Sequence, residues 1–230
     1  MKNLFKLLVI TMVFALISCD EENFGENQNE KQYSPIGVWE CGNYFLSLSS
    51  DNFLTAYFAE RFLDCGNYSL SEDNMLITCN NTYYARPTKY KIENITDNGL
   101  QVTISYTDIE GVEQVKTMTF TKSDKAPTTK DNPVVGKSYG TRLSSANITT
   151  TFTTYNTGMR TADSGSMKQY PLSMYYIYYD GCIYFQTFKT TTQMPSIGGW
   201  SPSKDIIVWQ LEFNSDGSIA SHNVITSTAL

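Results

Sequence analysis

"KYKIENITDNGLQVTIS", residues 89 to 105, decides the fold class. Leu100, Val102, Ile104 and the following Tyr106 alternate with Gln101, Thr103 and Ser105. A period of two places one set on each face of a strand, so this run predicts a strand with one buried face and one wet face. Asp97-Asn98-Gly99, just upstream, is a turn signal of the kind that joins two antiparallel strands.

The same pattern extends outward. Tyr44, Leu46 and Leu48 alternate less cleanly with Asn43, Phe45 and Ser47. Ile207, Trp209, Leu211 and Phe213 share one face of a later run, and residues 148–155 are rich in threonine, which suits a pleated surface. Turn signals recur at SSDN (49–52), SEDN (71–74), DG (180–181) and NSDG (214–217). Short strands punctuated in this way predict an all-β chain built from small antiparallel barrels or sandwiches. One stretch has two readings. In DNFLTAYFAERFLDCG (51–66), Leu54, Tyr57, Phe58 and Phe62 also fall at helical spacing, with Asp51 as an N-cap and Gly66 as a stop. The turn rhythm runs straight through it and favours strands.

Residues 123–133, SDKAPTTKDNP, are polar with two prolines and read as a linker or long loop. They separate a module at 35–122 from one at 134–230. Each module opens on a proline followed by a glycine, SPIGVWE at 34–40 and NPVVGKSY at 132–139.

The first module resembles the lipocalin-like domains of bacterial lipoproteins. Gly37-Val38-Trp39 looks like their G-x-W, GNYSLSEDNMLIT (66–78) like their G-x-Y hairpin, and residues 89–105 like their later hairpin. The resemblance implies a small barrel whose end is closed by Trp39, a structural role. It does not extend to the second module.

The N-terminus carries a second resemblance. Lys2 and Lys6 precede an apolar run from Leu7 to Ile17, about half of the ~20 residues that would span a bilayer. The run ends Leu16-Ile17-Ser18-Cys19, which resembles the lipobox of bacterial lipoproteins. That resemblance implies a signal peptide over residues 1–19, cleavage before Cys19, and lipid on its sulfur and new amine. Several acyl chains on one cysteine anchor a protein to a membrane, since each buried methylene contributes about 0.8 kcal/mol. Residues 20–34, DEENFGENQNEKQYS, hold five acids and few apolar groups, the composition of a flexible tether. Acids directly after the cysteine resemble the surface-export signal of Bacteroides-group lipoproteins, and imply an outer-membrane, cell-surface location. The enterobacterial reading of Asp20 is instead retention on the inner membrane, so a periplasmic face stays open.

Without residues 1–19 the chain has a net charge of −8, distributed as −4 in the tether, −5 over 35–122, zero in the linker and +1 over 134–230. No segment carries the basic stripe that a phosphate backbone requires, so nucleic acid is not an expected partner.

Beyond Cys19 the cysteines are Cys41, Cys65, Cys79 and Cys182. An exported compartment permits disulfides. A hairpin centred on Glu72 would set Cys65 opposite Cys79 at a distance a disulfide spans, whereas a shift of the turn would put the sulfurs on opposite faces. The alternative is that all four are buried small side chains. The spacings fit no metal site, and no cofactor is expected.

Catalytic groups are sparse. His222, in SIASHNVI, stands alone and reads as a strand surface residue rather than part of a triad. Glu60 and Asp64 form a possible carboxylate pair, but glycoside hydrolysis needs two acids about 5 to 9.5 Å apart across a cleft. The aromatic stretch MYYIYYDGCIYFQTF (174–188) is a stronger lead. A hairpin about Asp180-Gly181 sets Tyr179 against Cys182, Tyr178 against Ile183, Ile177 against Tyr184 and Tyr176 against Phe185. Both faces are then aromatic. Either both are buried, or one is an exposed platform in which Tyr176, Tyr178, Tyr184 and Phe185 meet a small molecule, glycan or peptide. The expectation is a membrane-anchored binding or accessory protein and not an enzyme. A structural subunit that pairs through its β-edges is the alternative, and a hydrolase comes third.

Overall fold

The computed structural model describes residues 33–225 apart from 60–61, 82–85, 109–110, 144–145, 170, 191–199 and 203–205. The targeting segment, Cys19, the tether up to residue 32 and Glu60 lie outside the described residues.

Eight strands follow one another in sequence order: β1 (Gly37–Cys41), β2 (Tyr44–Leu48), β3 (Phe53–Ala59), β4 (Phe62–Leu70), β5 (Leu76–Asn81), β6 (Thr88–Ile95), β7 (Gly99–Thr107) and β8 (Glu113–Ser123). They form a closed antiparallel barrel. The closing ladder pairs β1 with β8, setting Val38 opposite Ser123 and Trp39 opposite Lys122. The quoted hairpin is β6–β7, with Ile95 opposite Leu100 and Thr96 bonded to Gly99 across the turn.

The second half contains β9 (Ser138–Leu143), β10 (Ala146–Phe152), β11 (Thr157–Ala162), the single-turn helix α1 (Ser166–Gln169), β12 (Leu172–Tyr179), β13 (Cys182–Thr190), β14 (Trp200–Pro202), β15 (Ile207–Phe213) and β16 (Ile219–Ile225). Seven of these strands form a curled half-barrel in the order β16-β15-β13-β12-β11-β10-β9, and β14 pairs with β13 beside it. The chain is all-β, with a barrel followed by an open sheet.

Strands β3 and β4 resolve the ambiguity at 51–66. On β3, Leu54, Ala56 and Phe58 point into the barrel, while Phe53 and Tyr57 point out against the second sheet. A strand buried on both faces loses its period of two and reads as a continuous apolar run, which is why helical spacing appeared there by coincidence. Gly66 follows from close packing: a Cβ at that position would sit 2.3 Å from the Asn80 carbonyl oxygen.

The barrel interior is filled. Phe58, Phe62, Tyr68, Tyr90, Ile92, Val102, Ile104 and Phe120 are among its buried side chains. Eight strands leave an interior that side chains can fill, and each large apolar group buried there contributes about 1.5–3 kcal/mol. Trp39 is 1% exposed and belongs to this core. Its Nε1 donates to the Pro35 carbonyl at 2.7 Å, and the Lys122 ammonium lies 4.2 Å above its ring while donating to the Ile36 carbonyl at 2.8 Å.

The Cys65–Cys79 pairing expected from sequence is corrected. The β4–β5 register sets Tyr68, not Cys65, opposite Cys79. The turn centres beyond Asp73, with Asn74 in the left-handed region at φ 59°. Cys79 therefore faces the barrel interior and Cys65 the outside, and both are free thiols.

Barrel and sheet share a third core. Val38, Phe45, Phe53, Tyr57, Leu63 and Cys65 from the barrel's outer face meet Tyr175, Ile177, Tyr179, Tyr184, Ile206 and Val208. Phe45 stacks on Tyr179 with ring centroids 3.7 Å apart. The segment between the halves is docked as well: Lys125 bridges Glu40 and Asp180, each at 2.7 Å, and the Thr128 amide donates to Ser47 Oγ at 2.8 Å.

Candidate functional site

The aromatic hairpin takes the expected register. Tyr179 pairs with Cys182, Tyr178 with Ile183, Ile177 with Tyr184 and Tyr176 with Phe185, around Asp180 and Gly181, both at positive φ. Both of its faces are covered. Tyr184 packs on the barrel, with its ring near those of Phe45 and Tyr57. Tyr176 and Phe185 are fully buried on the sheet's concave side, and the Tyr176 hydroxyl donates to the Thr154 carbonyl at 2.6 Å. Tyr178 is half-buried against Phe213. The exposed platform is therefore corrected: Tyr176, Tyr184 and Phe185 are core and Tyr178 is half-buried beside them, because the hairpin lies between the barrel on one side and the curl of its own sheet on the other.

Asp64 is also core. It is fully buried, and it accepts from Tyr90 Oη at 2.6 Å and Asn81 Nδ2 at 2.8 Å. Asn81 Nδ2 also donates to Tyr175 Oη at 2.9 Å, and that hydroxyl donates to the Cys65 carbonyl at 3.2 Å. The chain of bonds crosses the barrel wall and ties it to the sheet. Burial raises the Asp64 carboxyl above its ordinary value, partly offset by these hydrogen bonds.

The sheet's two end strands, β9 and β16, form a different kind of place. Six successive antiparallel pairings separate them, so they run in the same direction. Side chains, not a described ladder, join them. His222 Nε2 lies 3.0 Å from Thr141 Oγ1, the Tyr139 ring stands edge-on to the imidazole at 5.8 Å, and Lys137 Nζ donates to the Gly217 carbonyl. Along this seam runs an open cleft of about 850 Å³, lined by Lys137 to Gly140 on one side and by Asp216 and Ser218 to His222 on the other. His222 is half-buried on the concave side, tilted 33° to the Trp209 ring at 4.8 Å. Burial pushes its imidazole below the usual value, toward the neutral form. The Thr141 contact has the reach of a hydroxyl–base pair, but no carboxylate among the described residues orients the ring.

Behind the seam, one row of inward side chains runs across three strands. Tyr139 on β9 is opposite Thr150 on β10, and Thr150 is opposite Arg160 on β11. All three are buried, and Tyr139 Oη, Thr150 Oγ1 and Arg160 Nε have no hydrogen-bond partner among the described residues. Burial raises the Tyr139 phenol to about 12 and lowers the Arg160 guanidinium. The Arg160 guanidinium crosses the concave side to lie 5.3 Å from the Phe185 ring and 5.5 Å from the Trp209 ring. Sequence reading missed this row. Its signal was a charged residue at an inward position of a threonine-rich alternating strand pair, visible once the register is fixed. No protein-family model, curated protein or solved structure matches the chain.

Proposed function

We propose that the protein is a lipid-anchored, non-catalytic binding or accessory protein, held by Cys19 at the outer membrane and facing the cell surface. In this reading the barrel, related to lipocalin-like domains of bacterial lipoproteins, is a solid base. The curled sheet is the binding element for a small molecule, glycan or peptide. The observation that carries the reading is the open cleft along the β9–β16 seam, set against a barrel interior packed with side chains. A concave site with a few convergent polar groups is the ordinary form of a ligand pocket.

The test uses Gly140, which lines the cleft and where a Cβ meets nothing within 4 Å. Gly140→Trp should plug the cleft and leave the fold intact. Gln101→Trp, on the exposed face of β7, is the control. In a thermal-shift panel of sugars, oligosaccharides, short peptides and small acids, compounds that raise the Tm of the protein should act on Gln101→Trp and fail on Gly140→Trp. A panel with no active compound, or one acting equally on both variants, counts against the reading.

A second reading has its own observation. The end strands β9 and β16 run parallel with a cleft between them, and a strand from a second copy running antiparallel to both would complete the curl. Concentration-dependent association in sedimentation, abolished by Gly140→Trp, would favour this structural-subunit role; a monomer at all concentrations would remove it.

A further inference from the structure

Arg160 is a buried cation inside the sheet, and no anion among the described residues lies beside it. It is 7% exposed, and its contacts among the described residues are the faces of Phe185 and Trp209. The described carboxylates of this half are engaged elsewhere. Asp163 accepts from the Asn147 amide at 2.9 Å, Asp180 pairs with Lys125 at 2.7 Å, Glu212 accepts from Ser221 at 2.6 Å and Asp216 from Ser218 at 2.6 Å. Proteins seldom bury a charge without a partner, because the desolvation penalty then has nothing to offset it. Two more buried polar atoms in the same cross-strand row, Thr150 Oγ1 and Tyr139 Oη, have no partner among the described residues.

The three groups share one chemistry, since each has a proton to donate. A ligand atom that bonds to all three together must accept, and the guanidinium charge favours an oxyanion among acceptors. The local charge selects further. His222 is held toward neutral and the Lys137 ammonium acts on the Asp216 carboxylate, so the Arg160 charge is the one left to be balanced. The two rings hold the guanidinium in place, and its fork matches a planar carboxylate. Tyr139 belongs both to this row and to the lining of the cleft, so it connects the two. We propose that Arg160, Thr150 and Tyr139 form a binding site for the carboxylate of a small acidic ligand. The ligand enters through the β9–β16 seam, and the rest of it lies along the hydroxyl-lined cleft of Ser138, Ser218 and Ser221. This inference rests on the binding-protein reading and names the ligand class for the same site.

The test needs no prior ligand, because acetate is the smallest carboxylate that forms the same bonds. The chain has four arginines, so the Arg160 Nε–Hε resonance is assigned by its loss in Arg160→Lys. Sodium acetate titrated at constant ionic strength should move that resonance downfield to a plateau; acetamide, sodium chloride and inorganic phosphate should not. Acetate should also raise the Tm of the protein and leave that of Arg160→Lys unchanged. A resonance that acetate does not move, or that acetamide or phosphate moves as far, overturns the proposal. So does an Arg160→Lys variant that keeps the full acetate response. If acetate fails while Gly140→Trp still abolishes binding of another compound, the carboxylate site falls and the binding-protein reading stands.

Discussion

The barrel and the curled sheet are built by the same rule and end differently. Each is an antiparallel meander in which consecutive strands pair. With eight strands, β1 and β8 run in opposite directions, and a backbone ladder closes the ring. With seven, β9 and β16 run in the same direction, and side chains bridge them. Closure goes with a mostly apolar interior whose one buried carboxylate, Asp64, is held by Tyr90 and Asn81. The open sheet sets three buried polar groups, with no hydrogen-bond partner among the described residues, in one row that reaches a cleft. Within one chain, the finished ring is a packed solid and the unfinished one keeps an open cleft.

Four experiments would break or sharpen this contrast. The largest effect should come from Trp39→Ala, which removes the buried ring under Lys122. The expected loss is about 3–5 kcal/mol, read from urea unfolding. A loss near zero would mean that the barrel does not depend on that ring.

Asp64 comes next. Asp64→Ala removes the acceptor of the Tyr90 hydroxyl and one acceptor of the Asn81 amide, at about 1–3 kcal/mol for a buried group left unsatisfied. Its pH dependence has a definite sign. A carboxyl whose folded value is raised binds more protons folded than unfolded, so stability is greatest below the ordinary carboxylate value. It falls as pH rises through the folded value, then levels. Asp64→Asn should flatten that slope, and an unchanged slope would assign it to another group.

The joint between the halves is third. A double-mutant cycle of Phe45→Leu and Tyr179→Leu should show a coupling of about 0.5–1.5 kcal/mol for the stacked rings. Purely additive losses would show that the two halves pack without this contact. The smallest effect belongs to Lys125→Ala, which breaks two partly exposed ion pairs. It should cost less than about 1 kcal/mol and vanish in high salt, as differential scanning calorimetry with and without added chloride would show.

What could be read from sequence follows from exposure. The strands β6 and β7 alternate cleanly because their outer face meets water; Lys89 and Lys91 are exposed while Tyr90 and Ile92 are buried. β3 is covered on both faces, so its pattern was ambiguous. The Asp180-Gly181 turn fixed the aromatic register residue by residue, because two consecutive residues at positive φ admit one hairpin geometry. The SEDN turn had no such constraint on its centre, and the cysteine pairing was misplaced for that reason. Burial of the aromatic hairpin depends on partners far away in the chain, namely the barrel's outer wall and the curl of the sheet. Arg160 was silent in the sequence because its isolation is a property of its surroundings and not of its neighbours in the chain.

The β1–β8 ladder also bears on how the chain acquires its structure. Nearly every other pairing joins strands that are adjacent in sequence and can zip from a turn. Val38 and Ser123 lie 85 residues apart and must meet across the whole first half. The entropy of closing such a loop is lost before the contacts that reward it form, so this single event should set the folding rate of the barrel. Among the described residues, the second half has no equivalent closure. Its hairpins can form early, but the convex face with Tyr175, Ile177 and Tyr184 stays wet until the barrel wall exists to cover it. Completion of the curled sheet's core therefore waits on the slowest step of the barrel.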